Sequence, residues 1–543
     1  MPTVLQDRIV WDKNDWLAGL APQHANNTGL SVGGRGASFI RNVNPYRRLG
    51  GIAPGFAPTS ITGGDSSSIA STIIAGDVDF GATTSNPFAY LGGGTLLNKL
   101  DLSTDTVLTS DFPKSVPLIG GHAAHANLDI KDVLVYGVGT STYVLYSYSD
   151  GTDGDVGAYD IGEAGLAAFS DAFKHEWLST RVTSGAGLGT GIHPIILGDD
   201  GAAYIGDGRT LIKYDGETGT NGTRTAPFTL PRGTVIQSFA KTLNYLVLFT
   251  TRSNLISGTY YRGNSTAWFW NYVSDKPNFS YDLSDNYVTA GFNWNGILGC
   301  LTFGRAAEGG SISTKLKLFS GSRFEQVVAL PRNPPGMNGV EVHDSMLLWN
   351  FGDNAQSFLA SYGSPWRNKI PDSLQFWGEP SGASQSASLG GICRNFGGAK
   401  LYTSSGTGTS GGLQVFSSNF GQGGGTFWQG LMAVPFLPEG KVAKLKSVRV
   451  TFRNATTAGR NVELTMVTDF RADTTSTILT GLGTISATTL TREFRFDTSG
   501  AQLPQFTSIA PNIIWSGGTD GTDAPTIHRI EAFYDTVNMN RNW

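Results

Sequence analysis

Cysteine is nearly missing from this chain, with only Cys300 and Cys393 in 543 residues. That excludes a disulfide scaffold, and both thiols are expected as small buried hydrophobes. Charge is scarce too, at 15% of residues against about 25% in an average soluble protein. Helical proteins need long charged faces, so the shortage argues against them. No basic excess exists either: the formal net charge is -4, whereas gripping phosphates by counterion release requires a cationic footprint. Apolar runs of the roughly 18 residues that span a bilayer are absent. The N-terminal MPTVLQDRIVWDKNDW lacks a basic stretch leading into an apolar core, so no secretory signal is expected and folding in a cytoplasm is.

What is present points to an all-β protein. Glycine is abundant at 72 residues, and 39% hydrophobic content with 11% aromatics supplies enough apolar surface to exclude disorder. The length exceeds the roughly 250 to 300 residues at which a single core stops growing, so at least two domains are expected. Residues 1–60 have no sustained periodicity and carry Pro22, Pro45, Pro54 and Pro58. They read as an extended N-terminal arm whose Phe39, Ile40, Tyr46, Leu49, Ile52 and Phe56 dock on a neighbouring surface, the chain's own or a partner's.

From 61 to 420 short runs of Val, Ile, Leu, Tyr and Phe alternate with Gly, Asp, Asn and Ser turns, the signature of hairpins. Residues 90–101, YLGGGTLLNKLD, align without gaps on 204–215, YIGDGRTLIKYD, with six identities in twelve. TKLKLFSG (314–321) is a looser copy of the returning strand. The offset equals about two four-stranded blades of 40 to 50 residues with their loops, and 132–148, 244–263, 340–363 and 390–418 supply the blades between. A β-propeller-like body of six or seven blades follows. One segment breaks the pattern: Phe169, Phe173 and Trp177, with Leu166 alongside, recur at helical spacing and predict a short amphipathic helix over 161–178 that caps the propeller or meets another subunit. Beyond the glycine-rich GQGGGTF, residues 426–543 hold further alternating strands, with Leu445, Val448 and Val450 and then Phe494 and Phe496 marking buried faces. That alternation predicts a C-terminal antiparallel β-sandwich.

Chemistry-bearing motifs are few. There is no G-x-S-x-G elbow and no phosphate-binding loop. His122 and His125 form an H-x-x-H pair with no third ligand close in sequence, so no metal site is expected. The acidic loops SDGTDGDVG, with Asp150, Asp153 and Asp155, and GGTDGTDAP, with Asp520 and Asp523, miss the spacing of a calcium loop and read as solvated turns. In TAWFWNY, Trp268, Trp270 and Tyr272 share one strand face. Such a face stacks on a sugar or packs between blades, and packing is the commoner use. No catalytic residue and no cofactor are assigned.

The segment SFIRNVNPYRRLGGIAPG (38–55), turns of the YIGDGRTLIKYDG kind (204–216) and a terminal sandwich after a glycine-rich bridge together resemble tail proteins of double-stranded DNA bacteriophages. Most similar is the propeller-containing nozzle of short-tailed phages. The resemblance implies a structural, non-enzymatic virion protein: a homo-oligomeric, hexameric ring below portal and adaptor, assembled in the host cytoplasm, with DNA as a non-specific passenger. It carries no catalytic residues across. A receptor-binding or fibre-like tail protein recognising host surface glycan through Trp268 and Trp270 is the second expectation, and a glycan-cleaving propeller the third.

Overall fold

The structure is a computed structural model. It describes residues 9–13, 39–41, 43–44, 53–54, 56–60, 75–79, 88–93, 96–104, 106–109, 129–138, 141–149, 151–161, 173–174, 176–180, 182–183, 186–216, 222–252, 255–256, 260–261, 264–305, 312–330, 340–343, 345–353, 356–363, 373–377, 392–394, 401–404, 413–420, 425–428, 432–433, 437–454, 461–468, 491–495, 505–516 and 526–538. Strands dominate, and the fold is all-β.

Seven sheets follow one another along 75–420, each an antiparallel meander whose first strand lies innermost. Blade 1 is Ala75–Asp79, Phe88–Gly93, Leu96–Asp101 and Thr106–Thr109, and blade 2 is Asp129–Val138, Ser141–Ser149, Gly154–Asp160 and Phe173–Lys174. Blade 3 runs Ile195–Leu197, Ala203–Asp207, Thr210–Asp215 and Gly222–Thr229, with Val182–Thr183 added in parallel at its outer edge. Blade 4 is Thr234–Thr242, Tyr245–Arg252, Thr266–Trp270 and Phe279–Asp282; blade 5 is Tyr287–Trp294, Ile297–Arg305, Ile312–Phe319 and Phe324–Leu330. Blade 6 is Val340–His343, Met346–Asp353, Gln356–Gly363 and Ser373–Trp377, and blade 7 is Ile392–Arg394, Leu401–Ser404 and Leu413–Phe420. The innermost strands touch in order around a circle, and that of blade 7 returns onto that of blade 1. This closure makes the body a seven-bladed propeller.

The internal repeat falls on equivalent positions. Tyr90 pairs with Lys99 and Gly93 with Leu96 in blade 1, while Tyr204 pairs with Lys213 and Asp207 with Thr210 in blade 3. Both copies are therefore the second and third strands of a blade in the same register, and Ile312–Phe319 is the third strand of blade 5. Burial explains the retained residues: Tyr90, Leu97, Tyr204 and Leu211 are fully enclosed. Blades 1 to 6 pack successively through such side chains, as between blades 1 and 2 (Tyr90, Leu97, Val144, Tyr146) and blades 5 and 6 (Trp294, Leu316, Trp349, Ala360). Cys300 is buried as expected, and burial pushes its thiol upward.

Two expectations change. The helix predicted over 161–178 is not formed as such: Phe173 belongs to a two-residue strand paired with Tyr159, and the helix is a single turn, Trp177–Thr180. Blade 2 requires a fourth strand, and pairing with Ala158 and Tyr159 overrides the helical spacing. Trp177 does cover the propeller's own core, its Nε1 donating to the Tyr214 hydroxyl at 3.0 Å and its ring 5.9 Å from Tyr143. Leu166 and Phe169 lie outside the described residues.

The N-terminal segment is the second change. Of the two surfaces open to the arm, its described strands take the chain's own, and as sheet strands: Phe56–Ser60 pairs with Leu413–Phe420 and becomes the fourth strand of blade 7. Ile9–Lys13 pairs with Thr526–Asn538, and Phe39–Arg41 pairs with Gly425–Trp428. An unpaired edge recruits whichever strand is near, and three such edges belong to this chain itself. Tyr46, Leu49 and Ile52 lie outside the described residues.

The C-terminal sandwich has two five-stranded antiparallel sheets. One is built on Lys441–Asn454 and Thr526–Asn538, the other on Ser508–Ser516 and Asn461–Thr468. Leu445, Val448, Val450, Ile530 and Ala532 are buried from the first sheet, and Leu464, Met466, Ile509 and Ile513 from the second. Arg449, between the two valines, faces the other way, 3.5 Å from Glu493 and 3.8 Å from Glu531. Both sheets are thus incomplete without strands from the opposite end of the sequence.

Candidate functional site

The aromatic face of blade 4 is the first candidate. Trp268, Trp270 and Tyr272 do lie together, but in the seam with blade 3, packed with Tyr204, Phe228 and Ile236. Trp270 is 2% exposed, its ring 5.6 Å from Tyr204 and 5.3 Å from Phe228, and its Nε1 donates to the Ser274 carbonyl at 2.6 Å. Trp268 Nε1 donates to Thr250 Oγ1 at 2.9 Å. Burial raises the Tyr272 hydroxyl to about 12. A sugar has no access to the Trp270 face, so its use is packing between blades.

Titratable groups gather at the seam of blades 2 and 3. Asp155, expected in a solvated turn, is instead 4% exposed; its carboxylate accepts from Ser179 Oγ and from the Val156 amide at 2.7 Å. Burial raises it to about 7, against those hydrogen bonds. His193, 1% exposed, lies beside Gly154 with Nδ1 3.2 Å from the Gly206 carbonyl and Nε2 2.7 Å from the Gly189 carbonyl. Asp207 Oδ1 is 3.8 Å from His193 Nδ1 and accepts from the Gly189 amide at 3.0 Å. Nucleophilic catalysis needs a hydroxyl or thiol against a ring nitrogen. Here both nitrogens face backbone carbonyls, so the cluster ties a linker to two blades.

Further carboxylates join successive innermost strands. Asp77 Oδ2 in blade 1 accepts from the Val135 amide of blade 2 at 2.8 Å, and Asp132 Oδ2 in blade 2 accepts from the Ile195 amide of blade 3 at 2.7 Å. The other oxygen of each accepts from the following residue's amide, Val78 at 2.8 Å and Val133 at 2.9 Å. Burial raises Asp77, and raises Asp132 to about 7. Glu341 of blade 6 makes the same bond to the Val342 amide at 2.9 Å, and Ser238 of blade 4 accepts from Gly291 of blade 5 at 2.8 Å. Sequence reasoning missed these latches, although an acid followed by Val at the start of blades 1, 2 and 6 (Asp77-Val78, Asp132-Val133, Glu341-Val342) was the available signal. In blade 5, Asp285 is held by Lys315, Lys317 and Thr302; burial alone would raise its carboxyl, but the two lysines hold it low.

The remaining candidates, His122, His125, Asp150, Asp520 and Asp523, lie outside the described residues, and Asp153 is exposed. Among the described residues no group of three or more His, Cys, Asp or Glu is placed to hold a metal ion, and no helix is long and apolar enough to cross a membrane.

No family model and no curated protein match the chain. Among solved structures, the Dos1 propeller is 11% identical, covering 67% of this chain and 94% of its own with a TM-score of 0.40. Hydrazine synthase of Kuenenia stuttgartiensis is 12% identical over 61% of this chain and 92% of its own, also at 0.40. Extracellular domains 1–2 of Drosophila semaphorin 1b are 10% identical over 67% and 87%, at 0.36. The fold rests on the strand order and ring closure above, and no activity passes from these proteins to this one.

Proposed function

We propose that the protein is a structural component of a bacteriophage tail, a subunit of the nozzle ring that forms part of the DNA ejection conduit. One observation carries the reading beyond the sequence resemblance: the first 60 residues supply a strand to each sheet of the sandwich and close the last blade of the propeller. Pulling the two domains apart therefore strains antiparallel ladders in both, and resistance to forced unfolding is set by the unfolding barrier. A conduit under ejection load needs that property, and a soluble glycan reader does not. The net charge of -4 and the sparse charge suit a wall that DNA passes without adhering. The aromatic face available to a glycan reader is occupied within the propeller, which weakens that alternative.

The test is the copy number and position of the protein in intact virions, by quantitative mass spectrometry and particle imaging. Six copies in a ring below the adaptor are expected. Three copies on a lateral fibre, or absence from the particle, would overturn the proposal.

A further inference from the structure

Large apolar side chains left in water are rare among the described residues, and three of the four, Leu243 (97% exposed), Val273 (87%) and Phe279 (38%), belong to blade 4. Strand pairing brings them to one end. Thr242 pairs with Tyr245, so Leu243 tips a two-residue turn; Leu246 pairs with Trp270, so the 271–278 loop emerges beside that turn. Phe279 follows on the outermost strand, its ring 5.1 Å from Tyr245 and stacked 4.7 Å from Phe269.

The loop holding Val273 is tightly fastened. Asn271 Oδ1 accepts from the amides of Val273 and Ser274 and from Ser274 Oγ, at 3.2, 3.0 and 2.8 Å. Asn278 Oδ1 accepts from the Asn271 amide at 2.9 Å, and the Asn278 amide donates to the Phe269 carbonyl at 2.7 Å. Tyr272 sits at φ +67°, a left-handed conformation unfavourable for a bulky residue. That conformation buries the Tyr272 ring against Tyr204 and Trp270 while its neighbour Val273 is left outside. Backbone strain persists only where surroundings over-determine it, and it concentrates at working sites. An apolar side chain fixed outward in advance loses little entropy on docking.

In the same loop, after Ser274, Asp275 and Lys276 are exposed and carry opposite charges, and neither has an ion-pair partner among the described residues. Adjacent opposite charges beside an apolar tip are complementary to themselves after a two-fold rotation: Asp275 of each copy meets Lys276 of the other while the apolar tips face across the axis. Isologous contacts use one patch on both copies in this way. We infer that this end of blade 4 is a self-association surface and that its occupant is a second copy of this chain. A two-fold pair of this kind is a state of the free subunit, separate from the contacts that close a ring.

Sedimentation equilibrium of the full chain at low and high salt tests it. The wild type is expected to dimerise, and Leu243→Asp and Val273→Asp to remain monomeric with unchanged thermal melts. Asp275→Lys places like charges across the axis and should weaken association by at least about tenfold. The double exchange Asp275→Lys with Lys276→Asp restores the match and should recover affinity. A wild type monomeric at all concentrations, or a double exchange as weak as Asp275→Lys alone, would overturn the inference. Neither result bears on copy number in virions, so this surface and the tail assignment fail independently.

Discussion

Asp155 is a carboxyl whose folded value, about 7, lies above its ordinary 3.8. The folded state therefore holds the proton more tightly than the unfolded chain does. Its contribution to stability is full below the ordinary value and is lost as pH rises through about 7. At about 1.4 kcal/mol per pH unit, the loss is on the order of a few kcal/mol. The wild type should melt at higher temperature at pH 5 than at pH 8. Asp155→Asn should narrow that gap, because its amide can still accept from Val156 and donate to Ser179; an unchanged gap in calorimetry would refute this. Asp132→Ala has a different signature. It strands the Val133 and Ile195 amides at about 1 to 3 kcal/mol for each buried donor left unsatisfied, and hydrogen exchange should quicken at both. Asp155 read as a solvated turn and Asp132 was not singled out, because an aspartate in a Gly/Asp-rich chain looks like a turn residue until the strand that carries it and the blade that buries it are known.

At the scale of the element, legibility followed locality. The hairpins of blades 1 and 3 were readable because turn and partners lie within twelve residues and the buried tyrosines and leucines recur at fixed positions. Buried alternation at Leu445, Val448 and Val450 was readable for the same reason. The strands Ile9–Lys13, Phe39–Arg41 and Phe56–Ser60 were not, since strands of three to five residues leave almost no periodicity and their partners lie hundreds of residues away. The 161–178 segment misled because Phe173 and Trp177 satisfy a helical period while the blade demanded an edge strand. Glycine positions within strands give a direct check. At Gly291 an added Cβ would lie 2.2 Å from the Phe249 ring, across the seam of blades 4 and 5. Gly291→Ala should destabilise the protein by about 1 to 3 kcal/mol, read as a lowered denaturant midpoint.

For the whole molecule, each domain is defined by a strand from elsewhere in the sequence. The fragment 421–543 lacks Ile9–Lys13 and Phe39–Arg41 and so presents two open sheet edges. Expressed alone it should aggregate or melt without a cooperative transition. Co-expression with residues 1–44 should restore a folded complex, detectable by co-purification and a sharp melt. A fragment that folds cooperatively by itself would show those strands to be dispensable. Removal of residues 1–60 from the chain should likewise open blade 7, with protease cleavage appearing between 392 and 420.

The same stitching sets an order of events during synthesis. Ile9–Lys13 leaves the ribosome long before its partner Thr526–Asn538, more than 500 residues further on, is made. At about 5 to 20 residues per second the delay is roughly 25 to 100 s. Throughout that time Ile9–Lys13 has no native edge to join, and a nascent chain that stalls before then never supplies one. Its exposed strands then mark it for chaperones and proteases, so sealing of the sheets works as a length check on each newly made copy.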